Sequence, residues 1–293
     1  DGTLWISTGS HESYRSNDRG QTWRRASAWT PAIAFVSTQG GEPGVYLMNG
    51  DASLTRRLTA EDNDAQNPYW SSDGNWICFD SQHEGNPEIY VIQSDGYGLA
   101  RLTMEPAEDT QPAWSPVGDQ IAFVSTRDGN AELYLMDADG ANQTRLTDNP
   151  ARDEHPRWSP DGSRLVFSSD RDGQNEIYVL TPAMGEVTRL TDNPAQDYQP
   201  AWSPDGQWIA FVSDREGDPD IFIVHPDGSE LTQVTKASAI EQTPGWSPDS
   251  SALIVSSNRT GAFQLYRLNR NGGNWVRLTQ DAYDNTNPVW LSK

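Results

Sequence analysis

Carboxylates stand at a constant distance ahead of a recurring tryptophan, and in a 293-residue chain this is the one spacing that could gather charge in one place. Asp109, Asp153, Asp197 and Glu241 each lie five positions before Trp114, Trp158, Trp202 and Trp246, while Asp64 and Asp284 lie six before Trp70 and Trp290. If the tryptophans mark equivalent places in equivalent units, the six acids form a ring. Such a ring can take a cation, calcium being the candidate, or a basic, extended segment of a partner. Tyr198 and Tyr283 share these loops and could anchor a peptide or stack on a sugar. The structural alternative is that Asp-Asn-Pro and Asp-x-x-Pro are loop chemistry, with side chains satisfying turn amides.

Other chemistries leave weaker traces. No Gly-x-Ser-x-Gly elbow is present. Asp137-Ala138-Asp139-Gly140 opens like a calcium loop but lacks the later acidic ligand, and reads as a hairpin turn. His11, His83, His155 and His225 fall on different kinds of loop, so a multi-histidine metal site is not expected. No residue is assigned as catalytic or as a metal ligand, although an acid pair on the ring would be the route to glycosidase chemistry. Arg127 with Glu132, Arg171 with Glu176 and Arg215 with Asp220 are spaced to meet across a hairpin turn.

Composition narrows the partners. With 21 Lys and Arg against 42 Asp and Glu, the net charge of −21 repels phosphate backbones and anionic lipid, leaving basic protein surfaces and cations. No apolar run approaches the ~20 residues of a membrane-spanning helix, and the opening residues carry no signal-peptide pattern. The lone Cys78 lies in Trp76-Ile77-Cys78-Phe79, where a buried, inert thiol is expected.

The elements that must position these residues follow from the repeat. Trp70, Trp114, Trp158, Trp202, Trp246 and Trp290 are each 44 apart, and one repeat is one structural unit. The unit around Trp158 runs Pro156-Arg157-Trp158-Ser159-Pro160-Asp161-Gly162, then Leu165-Val166-Phe167-Ser168, then Glu176-Ile177-Tyr178-Val179-Leu180, then Thr188-Arg189-Leu190-Thr191. These short β-branched and aromatic runs bounded by Pro, Gly and Asp read as four strands of an antiparallel meander. Such sheets cannot bury both faces alone and must stack, which predicts an all-β fold, a β-propeller. Second strands fall near Ile6, Ala34, Ile77, Ala122, Val166, Ala210 and Ile254, giving seven blades, with six as the alternative. The C-terminus ends as a first strand and the N-terminus opens as a second. A single domain over 1–293 is therefore expected, its closing blade built from 286–293 plus 1–27.

The phrase Pro-x-Trp-Ser-Pro-Asp-Gly-x-x-Ile-Ala-Phe-x-Ser-x-Arg-x-Gly-x-x-Glu-Ile-Tyr, followed by Asp-Gly and Arg-Leu-Thr, resembles the TolB-type propeller repeat, a relative of the WD40 family, over residues 60–290. Ser16-Asn17-Asp18-Arg19-Gly20-Gln21-Thr22-Trp23 resembles a structural Asp-box. The first resemblance implies a bacterial periplasmic or cell-surface propeller whose role is protein binding, and some seven-bladed relatives are lyases with a histidine-ligated metal. The expectation is a non-catalytic scaffold docking a protein or peptide on the acidic face, with no cofactor beyond the calcium considered above. The rivals are a metal-assisted carbohydrate-active enzyme, a lyase or glycosidase, and a structural module of a larger secreted or surface assembly.

Overall fold

Runs such as Ile121-Ala122-Phe123-Val124 are buried on consecutive positions, as strands must be when both sheet faces are covered. The computed structural model describes residues 30–292 other than 62 and 237, together with the backbone of three short strands, Leu4–Ser7, Ser13–Ser16 and Arg24–Arg25. Six four-stranded antiparallel sheets are built from the strands between Pro31 and Trp290. Blade 1 joins Asn285–Trp290 to Pro31–Ser37, Gly44–Asn49 and Thr55–Arg57. Blade 2 comprises Ala65–Trp70, Trp76–Ser81, Glu88–Gln93 and Ala100–Arg101. Blade 3 comprises Asp109–Trp114, Gln120–Ser125, Glu132–Asp137 and Thr144–Arg145. Blade 4 comprises Asp153–Trp158, Leu165–Ser169, Glu176–Thr181 and Glu186–Arg189. Blade 5 comprises Asp197–Trp202, Ile209–Ser213, Asp220–Val224 and Thr232–Gln233, and blade 6 Glu241–Trp246, Ala252–Ser257, Gln264–Asn269 and Val276–Arg277.

The ring has six blades, and the sequence count of seven is corrected together with the closing partner. Asn285–Trp290 pairs with Pro31–Ser37, in the register Asn285↔Ser37, Thr286↔Val36, Val289↔Ala34 and Trp290↔Ile33. Pro31–Ser37 opens its blade without a preceding first strand because the C-terminal strand supplies one. Leu4–Ser7, Ser13–Ser16 and Arg24–Arg25 form a separate three-stranded sheet, which accounts for the seventh second strand. Residues 17–23 of the Asp-box-like phrase, and His11, lie outside the described residues.

Aromatic stacking recurs from blade to blade. A second-strand Phe meets a third-strand aromatic in Phe35–Tyr46, Phe79–Tyr90, Phe123–Tyr134, Phe167–Tyr178 and Phe211–Phe222, with ring centroids 5.7–6.0 Å apart. Three first-strand tryptophans donate their indole N–H across the seam between blades: Trp70 to Val289 O, Trp158 to Ala113 O and Trp246 to Ala201 O, at 3.3, 3.1 and 3.0 Å. The first of these bonds ties the chain's end to blade 2. In the Ser159–Gly162 turn, Gly162 N donates to Ser159 O at 2.8 Å, and Asp161 accepts from Ser159 Oγ and Ser163 N. Those donors hold the Asp161 carboxyl down at about 2.

Candidate functional site: the channel and its acidic end

Each first strand is an edge facing the central channel, and edges must be blunted. Here the sequence places a proline on every one: Pro68, Pro112, Pro156, Pro200, Pro244 and Pro288. Lacking an N–H, proline is tolerated on an edge and removes a donor that could pair with another chain. The residue before each proline forms a β-bulge in the left-handed region: Asn67, Gln111, His155, Gln199, Thr243 and Asn287 have φ between 48° and 58°. A non-glycine residue there costs about 1–2 kcal/mol, and hydrogen bonds running from blade to blade offset it. Asn287 Nδ2 donates to Asn67 Oδ1 (2.8 Å), Asn67 Nδ2 and Gln111 N both donate to Asp80 Oδ1 (2.8 Å), His155 N donates to Gln111 Oε1 (2.6 Å), and Thr243 N donates to Gln199 Oε1 (3.0 Å).

Five of these bulge residues, Asn67, His155, Gln199, Thr243 and Asn287, line a central cavity of about 80 Å³ with Tyr69, Arg157, Trp202, Trp246 and Trp290. His155 in the channel wall and Asp80, which holds the bulge residues Asn67 and Gln111, are both displaced from their usual range. Burial, and then the cations Arg157 and Arg152, push His155 down to about 3, so its ring is neutral. Burial pushes Asp80 up to about 6 against the pull of Asn67 and Gln111. The sequence reading passed over Asp80, Arg157 and the bulge ring. The available signal was a polar residue of changing identity before an invariant proline in every repeat.

The acids predicted to ring the mouth do not form an exposed collar, which corrects that expectation. Asp109, Asp153, Asp197 and Glu241 are 0% exposed. Each accepts from an arginine on the hairpin between its blade's second and third strands: Arg127, Arg171 and Arg215 at 2.8 Å, and Arg259 at 2.9 Å. The guanidiniums in turn lie over third-strand rings, 4.7 Å from Tyr134 and Tyr178, 4.8 Å from Phe222 and 5.1 Å from Tyr266. Burial pushes the carboxyls of Asp109, Asp197 and Glu241 up, opposed by the serine and arginine beside each. A carboxylate removed from water this completely is retained only with such partners.

The same acids fasten neighbouring blades. Asn149 Nδ2 donates to Asp153 Oδ2 at 2.9 Å while Asn149 N donates to Glu132 Oε1 of the preceding blade at 3.0 Å, and Asn193 bridges Asp197 and Glu176 in the same way. The Asp-Asn-Pro loop is thus a latch built on its asparagine. The third-strand acids do not pair with Arg127 or Arg171 as the spacing suggested, because strand pairing brings fourth-strand arginines closer. Glu88, Glu132 and Glu176 meet Arg101, Arg145 and Arg189 at 2.7, 2.9 and 3.0 Å, and Asp220 takes Gln233 and Thr235 instead of Arg215.

Asp64 and Asp284 prove to sit one residue outside the ring position, which Ala65 and Asn285 occupy. Asp284 is exposed and Asp64 half-buried. Tyr283 is 43% exposed, whereas Tyr198 is half-buried against blades 5 and 6. Both leading loops and second hairpins lie at this end, and Glu61, Asp64, Glu105, Glu108, Asp281 and Asp284 make no ion pair among the described residues. Cys78 is buried, its thiol pushed up by burial. No group of three or more His, Cys, Asp or Glu among the described residues is placed to hold a metal. No helix among them is long and apolar enough to cross a membrane.

Six meanders stacked in a ring about a bulge-lined polar channel define a six-bladed β-propeller. The TolB β-propeller domain matches residues 6–124, 106–199, 154–235 and 192–293, and the chain belongs to that family. The fold is similar to TolB from Acinetobacter baumannii, at 21% identity and a TM-score of 0.81 over 99% of this chain and 82% of that one. It is also similar to a putative TolB from Agrobacterium tumefaciens, at 23% identity and a TM-score of 0.72, covering 85% of this chain and 89% of the other. An oligogalacturonate lyase in complex with manganese is more distant, at 18% identity and a TM-score of 0.57, covering 85% and 73%. No curated protein matches the sequence.

Proposed function

We propose that the chain is a non-catalytic protein-binding scaffold that docks a basic, extended segment of a partner at the acidic end of the propeller. The observation carrying this reading is the set of exposed acids there without a cationic partner, Glu61, Glu105, Glu108, Asp281 and Asp284, with half-buried Asp64 beside them. The buried acids Asp109, Asp153, Asp197 and Glu241 hold the loops in shape, and Asp64, Asp284, Tyr283 and the half-buried Tyr198 supply the contact. Tyr283 offers an aromatic surface of the kind enriched at interfaces. Exposed like charges that destabilise a lone protein raise the association rate of an oppositely charged one. The family resemblance supports a periplasmic or cell-surface setting.

The test uses a fluorescent lysine- and arginine-rich peptide of about ten residues and its Glu-substituted counterpart. The native protein binds the basic peptide and rejects the acidic one, with affinity falling as salt rises. Glu61→Gln, Glu108→Gln and Asp281→Asn together, with Tyr283→Ala, weaken binding at least about tenfold, an expected loss of about 1.4 kcal/mol. Equal binding of both peptides, or no change in the quadruple variant, would remove the proposal.

A further inference from the structure

Charge is distributed unevenly along the channel. The cavity lies toward the end carrying the Ser-Pro-Asp turns, since Tyr69, Trp202 and Ser292 line both the cavity and the depression continuing beneath Pro116, Pro160, Pro204 and Pro248. Asp205 and Asp249 stand at that opening, but each carboxylate is occupied by its own turn, accepting from Ser203 and Gln207 and from Ser247 and Ser251. Within the cavity the cation is Arg157. It lies 5.2 Å over the Tyr69 ring, donates through Nη1 to Pro156 O at 2.8 Å, and makes no ion pair among the described residues. Asp80 attracts it from the wall without reaching it.

A second observation marks the same place. Trp202 lines the cavity, is 8% exposed, and its Nε1 is buried without a hydrogen-bond partner. Its sisters Trp70, Trp158 and Trp246 donate to the carbonyl of the residue before the preceding blade's tryptophan. The corresponding carbonyl for Trp202 belongs to Arg157. Trp202 thus stands at the seam with the blade that introduces the guanidinium, and its buried unmet donor calls for an explanation. Arg164 adds a second guanidinium 4.8 Å over the Trp202 ring.

We propose that this cavity binds a carboxylate, with Arg157 as its charge partner and the Trp202 indole N–H as a second donor. One planar guanidinium matches a carboxylate by a two-pronged hydrogen bond. A phosphate dianion would need more positive charge than a chain of net charge −21 provides there. The walls of Tyr69, Trp246, Trp290 and prolines offer aromatic and apolar surface to the body of the acid, and the cavity, about 80 Å³, opens into the depression beneath Pro160 and Pro204. The ligand approaches through the proline-rimmed opening, away from the exposed acids at the other end.

Calorimetric titration with benzoate, benzamide, N-acetylphenylalanine and N-acetylphenylalanine amide tests this. An acid binds about tenfold or more tightly than its amide. Tighter binding of benzoate assigns the site to small acids, and tighter binding of N-acetylphenylalanine to a chain terminus. Arg157→Gln reduces acid affinity to that of the amide, Arg157→Lys restores part of it, and neither alters binding of the basic peptide. In the unaltered protein, the indole N–H resonance lost in Trp202→Phe shifts on addition of the acid, a readout independent of how Arg157 variants fold. Acids and amides binding alike, neither acid binding, an unmoved Trp202 resonance, or undiminished benzoate affinity in folded Arg157→Gln would each overturn it.

Discussion

Blades 3 to 6 differ from blades 1 and 2 at one pair of positions, and the difference tells what the recurring acids are for. In the four blades an acid opens the first strand and an arginine stands 18 residues on: Asp109 and Arg127, Asp153 and Arg171, Asp197 and Arg215, Glu241 and Arg259. Blade 2 has Ala65 and His83 at these places. In blade 1, assembled from both ends of the ring, Asn285 faces Ser37 and the arginine position is Gln39. Acid and arginine are present together or absent together. A docking collar would need only the acids, whereas a buried ion pair needs both members, since either one left alone is an uncompensated charge in a dry seam.

The largest effect expected from this comparison is on stability. Asp153→Ala strands Arg171, and Arg171→Gln strands Asp153, each costing about 3–5 kcal/mol. Asp153→Asn with Arg171→Gln, which copies blade 1, recovers most of that loss because the buried charges leave together. Urea unfolding of the two singles and the double measures the coupling. Simple additivity would break the comparison and return the acids to a role outside the fold.

A smaller effect comes from carrying the pair the other way. Asn285→Asp alone introduces a buried carboxylate without its arginine, and its Nδ2 donation to Asp281 and Tyr283 O is lost. It destabilises by about 1–3 kcal/mol. Adding Gln39→Arg brings the blade back to within about 1 kcal/mol of the original, since a well-formed buried pair is close to neutral against a polar one. Failure of the second substitution to rescue the first would show that the blade 1 hairpin cannot present an arginine as blades 3 to 6 do.

Much of the fold was legible because it depends on local signals repeated in phase. The 44-residue interval, the Ser-Pro-Asp-Gly turn and the Ile-Ala-Phe-Val strands specify a meander wherever they occur. Ring closure was misread because the runs around Ile6 and Ala34 both read as second strands, and only pairing between Pro31–Ser37 and Asn285–Trp290 reveals which of them the C-terminal strand completes. The acids were found but misassigned, since an acid at the start of a strand looks alike in sequence whether its side chain meets water or Arg171. Arg171 and Glu176 are five residues apart and seemed natural partners, yet register sets Glu176 beside Arg189. Asp80 and Arg157 escaped notice because each is a single departure from the repeat.

Those departures give the smallest and most specific prediction, again by contrasting blades. Where blade 2 has Asp80, the sister positions hold Val36, Val124, Ser168, Val212 and Ser256, and where blade 4 has His155, the others hold Asn, Gln or Thr. With its proton held up to about 6, Asp80 contributes stability that is complete below its ordinary 3.8 and is lost as pH rises through about 6. With His155 pushed down to about 3, the unfolded chain takes up a proton below 6.5 that the folded one refuses, so its contribution falls as pH drops from 6.5 toward 3. Between pH 4 and 6 the two slopes oppose each other, each at most about 1.4 kcal/mol per pH unit. Relative to the unaltered protein, Asp80→Asn therefore gains stability with rising pH across this window, and His155→Gln, the residue used at Gln111 and Gln199, loses it. Denaturant unfolding at pH 4, 5 and 6 reads the difference directly, with every shared carboxylate cancelling between variants, and slopes displaced in the same direction would show that these two positions are not buried as blades 2 and 4 place them.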